Sequence, residues 1–360
     1  DANRWMIWYP ELVIRRCLAL SGAIINEFGL TISQMRLMTS LQAMVVETDI
    51  SFEKDEGMSL RKKRWLNEWK TAILNFLSHS GEGEFIRFCD KEELDRLIEE
   101  EKERLGASNT PLRLILLETI LFEPFFPLSV EASKEYKGLR FCATFRKEYH
   151  NTLEEIAGSL GIDKGLVRTY RKTYKASIDG IRGKKTKMLM GGLAGAALAV
   201  LTAGYAIPVI GVLFAPAGLY GAAAVNAGLA ALGGGALAVG GFGVAGGMAV
   251  IAGGGGILAA GIGTGLGRLF IGSPTFALTQ AAKLEVVLKE IVLGQQRDVR
   301  FAQELIKEQR HAINRLEEEM LVFRSNEDKH KTEIANLKKS IAHLRKSLMR
   351  NENAFAEGMK

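Results

Sequence analysis

Apolar positions recur at helical spacing along most of this chain. Glu11 to Phe28 is rich in Leu, Ile and Ala, and Ser33 to Val46 continues with Met35, Leu37, Met38, Leu41 and Met44, so both stretches read as core helices. Ser59 to Leu77 places Trp65, Trp69, Ile73 and Phe76 among Lys and Arg, which predicts an amphipathic helix packed on its own domain. A helix lying on a membrane surface is the alternative. Asp90 is a candidate N-cap, acidic residues fill the turn after it, and Gly106 stops the helix. Leu112 to Phe122 is apolar until Pro124 and Pro127; it is too short for a bilayer and reads as a buried helix.

From Leu288 to Leu348 a three-four repeat runs through Ile313, Leu316, Met320, Phe323, Ile334, Leu337, Ile341, Leu344 and Leu348, the seam expected of a coiled coil. Gln295, Gln309, Glu327 and His330 fall on seam positions without apolar side chains, which predicts a bend or a change of partner near residues 327 to 330. As one helix, Ala281 to Arg350 would extend on the order of 100 Å.

Composition divides the 360 residues sharply. Met188 to Gly267 holds no Asp, Glu, Lys or Arg in 80 positions, and 24 Gly and 21 Ala make up more than half of it. The net charge of +6 resolves into −6 for residues 1 to 163, +8 for 164 to 187 and +4 for 268 to 360. Glycine at this density makes a poor helix in water, whereas hydrocarbon forces internal backbone pairing and favours close contacts between small residues. Met188 to Gly267 is therefore expected to form membrane-inserting helical hairpins. Gly191, Gly195, Gly243, Gly247, Gly261 and Gly265 lie at i, i+4 spacings that suit helix packing. A compact small-residue core or a linker is the competing reading. The preceding basic residues, among them Lys175, Arg182, Lys184, Lys185 and Lys187, would sit at the lipid interface on the cytoplasmic side and favour anionic lipid.

Thr152 to Lys172, TLEEIAGSLGIDKGLVRTYRK, has the pattern of a helix-turn-helix. Ile156 and Ala157 would pack the first helix, Gly161 would make the turn, and Leu166 and Val167 would seat a second helix carrying Arg168, Arg171 and Lys172. We read it as a structural turn, with nucleic-acid contact as the alternative.

Met44 to Glu53, MVVETDISFE, resembles the acidic inter-helix turn of TerB-type tellurite-resistance domains. Glu47 takes the acidic place and Ile50 the apolar one, with Thr48 where glycine is expected. Gly211 to Gly247 is similar to the Gly/Ala-rich membrane segment of the transmembrane and coiled-coil hydrolase family, where it follows a TerB-like region. The resemblance spans about residues 30 to 267 and implies an architecture, since no GxSxG elbow is present and heptads stand where the hydrolase would be. Apolipoprotein-L-like and helical pore-forming proteins have a similar layout.

Catalytic patterns are missing from the sequence. Cys17, Cys89 and Cys142 are far apart, the five histidines are scattered without HExxH spacing, and the GxGxxG-like string at Gly241 lacks a strand and a flanking acid. No cofactor or metal is expected, and no signal-peptide pattern opens the chain. The expected protein is all-α, with a cytosolic helical domain (residues 1–163), a basic juxtamembrane stretch (164–187), a membrane-inserting region (188–267) and a coiled coil (268–360). Its expected function is that of a non-enzymatic membrane effector that permeabilises or remodels a bilayer, as a homo-oligomer or with a coiled-coil partner. A membrane-anchored scaffold is the alternative and a DNA-binding regulator the third.

Overall fold

In the computed structural model, residues 30–78, 87–106, 109–125, 135–183, 273–325 and 327–359 are described, and these are all-helical. Helix α1 spans Ile32–Phe52, α2 Glu56–Ser78, α3 Lys91–Leu105, α4 Thr110–Ile120, α5 Ala143–Ser159 and α6 Gly165–Arg182. After residues 184–272, α7 spans Pro274–Val286, a π-helical segment runs from Val287 to Gln296, α8 spans Val299–Arg324 and α9 Lys331–Gly358.

Local chemistry starts and stops these helices. Thr31 caps α1 reciprocally with Gln34, and the Asp90 side chain accepts the Glu93 amide at 2.9 Å to open α3. Met44 to Phe52 continues α1, so the turn into α2 falls at residues 53–55. Between α5 and α6, Ile162 N–H donates to the Ala157 carbonyl at 2.8 Å and Gly161 N–H to that of Gly158 at 3.0 Å. This is a Schellman turn, and it needs the left-handed backbone of Gly161, at φ +69°.

One hydrophobic core runs through the described helices, from Leu37 and Trp69 through Leu114 and Val167 to Phe276 and Leu344. Helix α1 packs on α2, α3, α4 and α5, while α7 lies between α6 and α9. A buried ion pair joins the two groups: Lys283 of α7 donates to Glu118 of α4 at 2.7 and 2.9 Å.

The heptad run folds back instead of extending. Arg345 reaches Glu317 at 2.7 Å, Arg310 bonds Glu352, and Asn351 donates to Gln309 at 2.8 Å, an antiparallel register between α8 and α9. The turn includes Glu327–Lys329, a short 3-10 segment where the seam lacks apolar side chains. Gln309, also a polar seam residue, is buried and bonded to Ser347, which donates to the Ala281 carbonyl of α7. The apolar seam is thus consumed inside one chain. Ile313, Leu316, Leu337, Ile341 and Leu344 are buried, and Met320, Phe323, Ile334 and Leu348 are half-buried.

Among the described residues no helix is long and apolar enough to cross a membrane. This corrects the transmembrane and pore-forming expectation and the membrane localisation attached to it. The most apolar described helices, α4 with 11 residues and α7 with 13, are shorter than the roughly 20 residues of a bilayer span and are buried against other helices. The longer α1 carries Arg36, Glu47 and Asp49. Met188 to Gly267 with Gly191, Gly195, Gly243, Gly247, Gly261 and Gly265, and also Lys184, Lys185 and Lys187, lie outside the described residues. The chain on either side of residues 184–272 is held at one place. A Cβ on Gly183 would lie 3.7 Å from Lys346 Nζ, and His343 Nδ1, one turn earlier on α9, is 3.1 Å from the Pro274 carbonyl.

Candidate anion-binding cleft

The hydrophobic face of α6 buries Leu166, Val167, Tyr170, Ile178 and Ile181. Its exposed face then carries Arg168, Arg171, Lys172 and Lys175, spaced i, i+3, i+4, i+7. These four side chains form one wall of a cleft of about 870 Å³. The facing wall is the chain after α4, Ile120 to Phe125, with Leu139 to Phe141 before α5. Arg140 adds a fifth cation.

The lining is aromatic beneath the charges. Phe141 lies 5.1 Å from Tyr149 and 6.0 Å from Phe125, centroid to centroid, and the Arg171 guanidinium sits 5.6 Å from the Tyr149 ring. Phe125 holds a left-handed backbone, φ 69°, unusual for a bulky residue. Its ring is fixed from behind by Trp65 at 5.3 Å and by the Lys62 ammonium at 5.4 Å. Lys62 is itself fully buried, donating to Asp49 at 2.6 Å and paired with Glu53 at 2.8 Å, while the other Asp49 oxygen accepts the Cys142 amide at 2.7 Å. Between the Asp49 and Glu53 carboxylates, therefore, stands a lysine. Its hydrogen bond holds the Glu53 carboxyl below the usual carboxylate range. Among the described residues no group of three or more His, Cys, Asp and Glu side chains could hold a metal.

Burial pushes the Tyr149 phenol up to about 12 and that of Tyr174 higher still, so both are neutral at ordinary pH. Tyr149 donates to the Ile120 carbonyl at 3.4 Å. Glu123 lines the cleft and is exposed at its surface, while desolvation by the surrounding lining raises its carboxyl. His150 pairs with Glu154 at 3.0 Å on the rim.

Of the basic residues singled out in the sequence, Lys175 lines this cleft, and Arg182 is half-buried at the end of α6. The helix-turn-helix residues take the packing places their pattern implies: Ile156, Ala157, Leu166 and Val167 are buried, and Arg168, Arg171 and Lys172 point outward. Sequence reasoning missed Arg140, Glu123 and the aromatic wall, whose only local signal is the run of Phe and Pro after α4. No protein-family model matches the chain, and no curated protein or solved structure gives a significant match to it.

Proposed function

We propose that the protein is a non-enzymatic helical binding module that takes an anionic ligand into the cleft between α6 and the chain after α4. The observation that carries this reading is a set of cations without an ion-pair partner among the described residues. None of Arg140, Arg168, Arg171, Lys172 and Lys175 forms an ion pair among the described residues, although Arg310, Arg345 and Arg350 elsewhere on the surface do. Five like charges around one concavity repel one another, and an anion relieves that repulsion. A shaped apolar lining with a few convergent charges is the usual form of a ligand site.

In this reading the carboxy-terminal heptads act as an intramolecular antiparallel coiled coil. It presses α7 against α6 and makes the cleft wall rigid. A duplex reader would need a protruding helix to enter a major groove about 12 Å wide. Here the basic stripe of α6 faces another wall, which disfavours that use.

The test is fluorescence titration with 8-anilinonaphthalene-1-sulfonate, an aromatic sulfonate. We expect saturable binding that falls at least tenfold when Arg168, Arg171 and Lys172 are changed together to Ala, with the denaturation midpoint unchanged. Equal binding by that variant would sink the proposal, as would duplex DNA that displaces the probe.

A further inference from the structure

We infer that the ligand is a single-chain amphiphile with a phosphate monoester head, lying along α6 with its head on Arg168, Arg171 and Lys172 and its chain on the aromatic wall. This rests on the anion-binding reading above and deepens it.

The cleft is amphipathic in cross-section. One wall is the cationic stripe of α6; the other is mostly apolar, Ile120, Leu121, Phe122, Pro124 and Phe141, with Glu123 and Arg140 its charged side chains. A compact inorganic anion would leave the second wall facing water. A ligand with an apolar body covers it.

The shape is elongated. From Arg168 to Asp179 the lining follows eleven residues of helix, roughly 16 Å. Charge gives this groove a direction. Arg168, Arg171 and Lys172 cluster towards the amino-terminal end of α6, and Asp179 stands at the other end, where it repels an anionic head. Between them the lining holds Tyr174 and the further cation Lys175, and Ile178 lies beside Asp179; Tyr174 and Ile178 are side chains suited to methylenes.

The head is identified by the donors. Two guanidinium forks and an ammonium within one helical turn offer more hydrogen bonds than a single carboxylate can accept. A phosphate monoester carries close to two negative charges and three acceptor oxygens. The volume, about 870 Å³, is near the upper end of small-ligand sites.

Displacement of the bound sulfonate probe from the full chain by butyl, octyl and dodecyl phosphate, each below its micelle concentration, tests this. Inorganic phosphate and dodecanoate serve as comparison arms. We expect affinity to rise about fourfold per methylene, roughly 250-fold from butyl to octyl, from the usual transfer free energy of a buried methylene. Dodecyl phosphate should compete about tenfold better than dodecanoate, as expected for charge-assisted bonds to a dianion. Displacement that is indifferent to chain length, while the triple Ala variant still loses the probe, would overturn the amphiphile and leave the anion site standing. Dodecanoate matching or exceeding dodecyl phosphate would overturn the phosphate head. No displacement by any of them, with the variant unaffected, would remove both.

Discussion

Glu118 and Lys283, separated by 165 positions, meet in a fully buried ion pair at 2.7 Å. Glu118 belongs to the helix from which the cleft wall emerges and Lys283 to the helix that backs α6, so the contact joins the parts before and after residues 184–272. Removing the Lys283 ammonium takes away the opposite charge that the buried Glu118 carboxylate meets here. Lys283→Met should therefore cost about 3–5 kcal/mol, and adding Glu118→Leu should recover most of it. Urea midpoints of the single and double variants measure this; an unchanged midpoint for Lys283→Met would refute it.

Gly161 closes α5 in a left-handed conformation, and its φ of +69° excludes a Cβ without strain. Gly161→Ala should destabilise by about 1–2 kcal/mol, with Gly161→Asn less harmful. The nearest atom to an added Cβ is Lys102 Cε at 3.4 Å, a flexible end, so the penalty comes from the backbone. Comparing the Ala and Asn midpoints separates backbone strain from crowding.

Glu285 is buried, which by itself pushes its carboxyl up. Arg350, bonded at 2.7 and 2.8 Å, and Lys289, at 2.8 Å, outweigh that and hold it below the usual carboxylate range. A folded-state pKa below the unfolded one contributes stability at neutral pH that disappears as the pH falls through the carboxylate range. Glu285→Gln should lower the urea midpoint at neutral pH and flatten its decline towards acid. A decline as steep as that of the parent protein would contradict the assignment.

Glu123 has the opposite sign, because desolvation by the cleft lining raises it. As pH rises through that elevated value, a negative charge appears in the cleft near Tyr149 and Tyr174, so sulfonate-probe affinity should fall. His150 and its partner Glu154, on the rim, contribute their own pH dependence. Glu123→Gln should remove only the component belonging to Glu123, leaving tighter binding at pH above the Glu123 titration and a shallower profile. An affinity profile unaltered by that substitution would show that Glu123 does not face the ligand.

Much of the helical framework was legible because its causes are local. The Asp90 cap, the stop at Gly106, the Gly161 turn and the basic stripe Arg168 to Lys175 depend on hydrogen bonds and side-chain periodicity within a few residues. The heptads from Ile313 to Leu348 likewise announced an apolar seam, and the polar positions 327 to 330 marked where it would break.

What closed that seam was decided only by the tertiary structure. Periodicity states that a stripe needs a partner but carries no address, and here α8, α9 and α7 supply one another through Gln309, Ser347 and Glu285. The same holds for the Lys62 ammonium between Asp49 and Glu53, for Glu118 with Lys283, and for the aromatic wall that turns the stripe of α6 into a cleft. Each depends on distances between segments far apart in the chain. Local pattern sets which faces must be buried; only the packing of all the faces together determines which side chains meet.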